Sequence, residues 1–296
     1  MSINASPVAC FLSFADSRMS AALARIAEQA KAMNFFDEIR VCDERVIDES
    51  FQKKMQHLLR PDVRGFGYWC WKPYIILKTL ESLPENSTLF YCDAGCHLNP
   101  AARERLLFYY KEMETDSFCM KAFPALSTQI DTNEKRWTKG DVFDYFNCRA
   151  NRNITHTPQL AAGHIICKKN TENIRFFKKW LSVWDDNLSL VDDSASISPN
   201  LSGFIENRHD QSIFSILYKL HGGTPLPDGE TRYFGAVNKE SYPIWDARDY
   251  GVDCRDKRFF ARLRRYLRAK KIMRKIAFER FLENHPKLKA LISKNN

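Results

Sequence analysis

Short apolar runs alternate with amphipathic stretches from Val8 to Leu220. Val8–Phe14 (VACFLSF) is β-branched and aromatic and is ended by Ala15-Asp16-Ser17, which predicts a first strand. Ser20–Met33 carries Leu23, Ile26, Ala27 and Ala30 at helical spacing, and Ile39, Val41 and Cys42 make a second strand ended by Asp43-Glu44. Strand, helix and strand in succession favour a parallel sheet joined by a crossover. The G-x-G-x-x-G phosphate loop is missing after the first strand, which argues against NAD or FAD.

The stretch from Arg64 to Pro100 organises the rest. Gly65 and Gly67 bracket Phe66, and Tyr68, Trp69, Trp71 and Lys72 follow in an aromatic loop. Pro73 then opens a helix to about Leu83 with Ile76, Leu77 and Leu80 on one stripe, since Pro is tolerated in a first helical turn. Leu89-Phe90-Tyr91 reads as a buried strand with Asp93-Ala94-Gly95 at its carboxyl end, where open α/β sheets bind ligands. Two roles fit Asp93: an ordinary turn former, or a carboxylate for a ribose hydroxyl or a phosphate-bound metal. Trp69 and Trp71 likewise suit either the core or a stacking surface for a base.

Ala101–Met113 reads as a helix and Phe118–Ala122 as a strand. Residues 131–158 are polar and punctuated, the pattern of a functional or disordered loop. Ala161-Ala162-Gly163 leads into the apolar Ile165-Ile166-Cys167, and a Gly there marks either a close approach to the backbone or tight strand packing. Thr171–Trp184 is a helix, Asp185–Pro199 a surface loop, and Arg208-His209-Asp210-Gln211-Ser212 opens a helix through Leu220. Asp210 suits a helix cap, yet with His209 beside it the pair also suits proton transfer, metal binding or a sugar hydroxyl. Tyr242–Asp249, with Trp245 and Arg248, has the charged and aromatic mix of a site rim.

Charge is unevenly placed. Residues 253–296 hold 15 Lys and Arg against 4 Asp and Glu, whereas the rest hold 30 against 32, so the overall +9 belongs to the tail. A slightly acidic body disfavours nucleic acid as a partner. Phe259, Leu263, Leu267, Met273 and Phe281 recur among basic residues, as in an amphipathic helix on an anionic membrane surface; a helix packed on the body fits the same pattern. No secretory signal or bilayer-length apolar run is evident, and nine Cys with no C-x-x-C pair predict free thiols.

These blocks together resemble bacterial GT-A-type glycosyltransferases of capsule and O-antigen synthesis, over residues 8 to about 250. The resemblance implies an α/β fold with a Rossmann-like mixed central sheet flanked by helices over 1–252; the charge and spacing above add a basic helical tail over 253–296. It implies transfer of a sugar from a nucleotide-diphosphate donor to a growing, lipid-linked surface polysaccharide, in the cytoplasm at the inner face of the membrane. Donor contacts fall on Ser13, Phe14, Asp43, Arg64, Gly65, Gly67, Tyr68, Trp69, Trp71, Lys72, Asp93, Gly95 and Gly163, and the acceptor side on Trp245 and Arg248. Asp210 and His209 are the catalytic candidates. The family's Asp-x-Asp turn holds ribose and metal; here Gly95 replaces its second Asp, so Mn²⁺ or Mg²⁺ on Asp93 and His209 is expected to help rather than to be essential. A non-catalytic nucleotide-sugar or glycan-binding adaptor at the membrane is the alternative that this missing Asp favours.

Overall fold

The computed structural model describes residues 6–125, 131–227, 229–231 and 239–249, with isolated positions between 270 and 286. Of the expected tail over 253–296, Phe259, Leu263 and Leu267 lie outside the described residues, whereas Met273 and Phe281 are described and exposed. In chain order the main elements are β1 (Ala9–Phe14), α1 (Ser20–Ala32), β2 (Glu38–Cys42), α2 (Glu49–Lys54), α3 (Gly65–Tyr68), α4 (Trp71–Ser82), β3 (Thr88–Cys92), β4 (His97–Leu98) and α5 (Arg103–Glu114). There follow β5 (Met120–Pro124), α6 (Glu134–Trp137), α7 (Gly140–Tyr145), α8 (Arg152–Thr155), β6 (Leu160–Lys168), α9 (Thr171–Asp186), α10 (Asp210–Leu220) and β7 (Ile244–Trp245).

Five strands form one sheet in the order β2-β1-β3-β6-β5. β1 runs parallel to β2 and β3, while β6 runs antiparallel to β3 and β5. The expected mixed α/β sheet flanked by helices is therefore present. Successive side chains on a strand point to opposite faces. Cys10, Leu12, Leu89 and Tyr91 accordingly meet Ile76 and Leu80 of α4, Phe176 and Trp180 of α9 and Phe214 of α10. Phe11, Phe90 and Ile166 meet Ile26 of α1 and Leu106 and Tyr109 of α5 on the other side. A sheet covered on both faces needs near-continuous apolar strands, which is why β1 and β3 stand out in the sequence.

Residues 131–158 differ from expectation. They hold three short helices, with Trp137, Val142 and Phe143 buried in the core, rather than a loop. Four to six residues make too little periodicity to reveal a helix beforehand. The 185–199 segment is pinned too: Lys139 Nζ donates to Ser189 O at 2.6 Å and Asp192 O at 3.0 Å. β4 and β7 pair antiparallel, His97 with Trp245 and Leu98 with Ile244, which carries residues 246–249 to the carboxyl end of β3. The eight described cysteines are free thiols, and no described helix is long and apolar enough to cross a membrane.

Candidate active site

The aromatic loop folds as one left-handed helical turn. Gly65, Phe66, Gly67, Tyr68 and Trp69 have φ of 61°, 52°, 96°, 50° and 61° in succession. Tyr68 N–H bonds Arg64 O at 2.7 Å and Trp69 N–H bonds Gly65 O at 3.3 Å. An L-residue held there costs roughly 1–2 kcal/mol, so Phe66, Tyr68 and Trp69 need support. Trp71 Nε1 supplies some by donating to Gly65 O at 2.9 Å. Both glycines are also sterically required: a Cβ on Gly65 would lie 2.5 Å from the Trp69 ring, and one on Gly67 would lie 3.0 Å from Cys70 Sγ.

The turn delivers Trp71 and Lys72 to the carboxyl ends of β1 and β3. Trp71 stacks on Phe14, the last residue of β1, at 4.2 Å between centroids. Lys72 is buried, and its Nζ lies 3.2 Å from Asp93 Oδ1 and 3.1 Å from Asp210 Oδ2. Asp93 keeps 38% of its side chain exposed, whereas Asp210 keeps 7%. Tyr91 Oη donates to Asp93 Oδ1 at 2.5 Å. Gly163 lets β6 pass beside this carboxylate, since a Cβ there would stand 3.0 Å from Asp93 Oδ2. Close approach is thus the role this Gly plays.

Asp210 begins α10, but Oδ2 meets Lys72 only as a charge and accepts no aligned hydrogen bond. Burial pushes its carboxyl up to about 6, Lys72 opposes the rise and Asp93 adds to it. Burial works against the Lys72 ammonium, but Asp210 and Asp93 together hold it above its ordinary range. His209 has φ 55°, ψ −124°, a strained backbone for a non-glycine residue. Its Nε2 meets Asp193 Oδ1 at 3.0 Å, and its ring stacks on Tyr68. Burial pushes the imidazole down, with Asp193 opposing and Arg64 adding to the fall.

A cavity of about 690 Å³ opens over these groups. Its wall includes Phe14, Arg64, Gly65, Trp69, Trp71, Lys72, Asp93, Gly95, Gly163, His209, Asp210 and Arg248. Five expected site residues are placed elsewhere. Ser13 is fully buried in the sheet and Gly67 packs on Leu58. Tyr68 backs His209 from outside the wall, and Trp245 lies in β7 beside His97. Asp43 accepts from Arg45 N–H at 3.0 Å, capping a short turn at the end of β2. β2 is an edge strand; β1 is an inner one. Of the two acids that close β1 and β2, the one at the cavity is therefore Asp16, after β1, together with Arg18 and Met19. A strand-end rule that ranked central strands above edges would have found Asp16. Asp246, Glu206, Gln211 and the buried His164 also line the wall; Asp246 lay in the expected rim and Gln211 in the Arg208–Ser212 block, while Glu206 and His164 had no signal.

The donor set does not suit a divalent metal. Gly95 supplies no ligand, Asp93 already faces an ammonium and a phenol, and His209 is turned to Asp193. Among the described residues no group of three or more His, Cys, Asp or Glu is placed to hold a metal ion. A dication about 4 Å from the Lys72 ammonium would meet a repulsion of roughly 8 kcal/mol at an effective dielectric of about 20.

No protein-family model matches the chain, and no curated protein is similar to it at a significant level. Solved structures with a similar backbone include a glycosyltransferase involved in the glycosylation of the major capsid of PBCV-1, at 9% identity and TM-score 0.44, over 81% of this chain and 94% of that one. Mouse xyloside xylosyltransferase 1 is similar at 10% identity and TM-score 0.41, over 83% of this chain and 98% of that one. The galactosyltransferase LgtC, solved with donor and acceptor sugar analogues, is similar at 13% identity and TM-score 0.39, over 71% of this chain and 70% of that one.

Proposed function

We propose that this chain is a glycosyltransferase that moves a sugar from a nucleoside-diphosphate donor to a glycan acceptor. The observation that carries the reading is the ammonium of Lys72 held between Asp93 and Asp210 under an open cavity. A transferase of this kind must bind an anionic diphosphate, hold the sugar beside it and shield the reacting carbon from water. The stacked Phe14–Trp71 pair, with Asp16 at the end of β1, offers the base and ribose a surface. Asp93 faces the ribose or the sugar, and Arg248 lies on the acceptor side. In the step itself the bond from the sugar's anomeric carbon to the diphosphate oxygen breaks, and its electron pair leaves with the nucleoside diphosphate. The acceptor hydroxyl oxygen bonds that carbon, and its proton passes to Asp210 if the configuration inverts. In the retaining case Asp210 contacts the donor sugar instead, and the acceptor proton leaves on the departing diphosphate oxygen.

A lipid-linked surface polysaccharide as acceptor, with the basic tail against anionic lipid, is the finer part of this proposal. The charge of residues 253–296 supports it.

The test is to incubate the full-length protein with a panel of nucleoside-diphosphate sugars, following melting temperature and release of nucleoside diphosphate. One donor should raise the melting temperature and be hydrolysed slowly without acceptor. Asp93→Asn should keep the fold and abolish release. A donor that binds without any turnover would leave a binding adaptor, and a panel in which nothing binds would sink the reading.

A further inference from the structure

We propose, resting on the donor-binding reading above, that Lys72 stands where a divalent cation would stand in this site, so that donor diphosphate is bound without metal. Three observations converge. First, Lys72 Nζ lies 3.2 Å from Asp93 Oδ1 and 3.1 Å from Asp210 Oδ2, so an ammonium already supplies the positive charge between the two carboxylates. Second, the turn after β3 places Gly95 where a second carboxylate is needed to pull a dication from water, and Tyr91 Oη occupies Asp93 Oδ1 at 2.5 Å. Third, His209 Nε2 is engaged by Asp193 at 3.0 Å.

The ammonium also has capacity left for a ligand. It carries three donors, of which the two carboxylates take at most two, so at least one is left for an oxygen entering the cavity. The Trp71 and Tyr91 rings, 5.8 and 5.6 Å from Nζ, wall it in, so the charge is fixed before the ligand arrives. Lys72 is thus a positioning residue for both carboxylates and a direct partner of the diphosphate. Its place at the start of α4, just after the left-handed turn, gives that turn a purpose: the strained backbone aims a single buried cation.

Calorimetric titration of the full-length protein with UDP, GDP, dTDP, ADP and CDP, in EDTA and then in saturating Mn²⁺, tests this. The tightest binder should have the same Kd within about threefold in both media. Electron paramagnetic resonance should find added Mn²⁺ free in solution beside the protein alone, and, with that nucleotide added, no more Mn²⁺ bound than the nucleotide holds by itself. Lys72→Met should weaken the nucleotide by at least about thirtyfold, because it strips a buried charge from its partners, and Lys72→Arg should recover part of that loss. If Lys72→Met does not fold, the two wild-type measurements decide alone. A tenfold or greater loss of affinity in EDTA, Mn²⁺ held by the wild type, or full affinity in a folded Lys72→Met overturns the proposal while leaving the donor site standing. Binding of no nucleotide in either medium overturns the donor reading, and this inference with it.

Discussion

Two buried lysine–carboxylate clusters in this molecule have similar parts and opposite surroundings. At Glu134, Lys219 Nζ pairs with Oε2 at 2.7 Å, Thr138 and Gln159 donate to Oε1 at 2.7 and 2.9 Å, and Ser215 donates to Oε2. Every acceptor position is used, and the glutamate is fully buried. At Lys72, one ammonium serves two carboxylates, Asp210 Oδ2 lacks an aligned donor, and the cluster faces a cavity. A satisfied network ties α6, β6 and α10 together and has nothing left to offer. An under-satisfied one beside an opening retains unspent electrostatics for a ligand. Burial of a charge therefore does not by itself point to a site; incomplete partnering at an opening is what sets the proposed one apart.

The comparison can be broken most sharply at Asp210. Asp210→Ala should lower turnover by about 10²–10⁴-fold with little change in donor affinity, the signature of a group acting mainly in the transition state. A sharp fall in stability with turnover per folded molecule preserved would instead make Asp210 a helix cap. Its proton adds a second measurement. The folded carboxyl is raised to about 6 by burial, so the folded state holds more protons than the unfolded chain between the ordinary carboxylate range and that value. The stability this contributes is fully present below about 4 and is lost as pH rises through about 6, a loss of roughly 3 kcal/mol at most. Chemical denaturation of wild type and Asp210→Asn should therefore diverge across that window, while the rate gains an acid limb near the same pH. Parallel stability curves would contradict the buried, repelled carboxylate.

Glu134→Ala strikes the other cluster. It should cost about 3–5 kcal/mol of stability by leaving Lys219 buried without its partner, while the remaining folded protein keeps its turnover. Urea unfolding and donor release on the same sample measure both. Lost turnover at unchanged stability would erase the distinction between the two clusters.

A milder change sharpens the placement of Asp93. Gly163→Ala sets a methyl 3.0 Å from Asp93 Oδ2 and should displace the carboxylate by a few tenths of an ångström. Turnover should fall roughly tenfold with the melting temperature nearly unchanged, as small misplacements at reacting groups do. Unaltered kinetics would mean that Asp93 needs no fixed position.

The smallest effect on chemistry is expected from the tail. Removing residues 253–296 takes away a net +11 and every proposed donor residue lies upstream. Turnover of a soluble acceptor should persist while binding to anionic vesicles disappears, and full-length binding should weaken as salt screens the surface field. Unchanged vesicle sedimentation with a collapsed melting temperature would show a helix that belongs to the body.

Much of the frame is visible in the chain because its physics is local. β1, β3 and α9 are apolar at their own period, and Asp93 stands out as an acid directly after a buried strand. The left-handed turn was only half visible. Gly65 and Gly67 advertise positive φ, but Phe66, Tyr68 and Trp69 do so against their own preference, held by packing and by Trp71 Nε1. Asp16 and Asp43 are equivalent in sequence, each closing a strand. They differ only because β1 is flanked by β2 and β3 whereas β2 has β1 alone.

By itself, then, the sequence determined the alternation of strands and helices, the acidic turn after β3, the Asp210 block and the separation of a near-neutral body from a basic tail. Each rests on neighbours within a few turns of the chain. Tertiary structure decided that Lys72, Asp93 and Asp210, far apart in the chain, share one charge centre. It also decided that His209 Nε2 faces Asp193, and that residues 131–158 contribute to the core. Those outcomes depend on which strand ends lie side by side and on the low dielectric that burial creates around three charges, and no local pattern of residues encodes either.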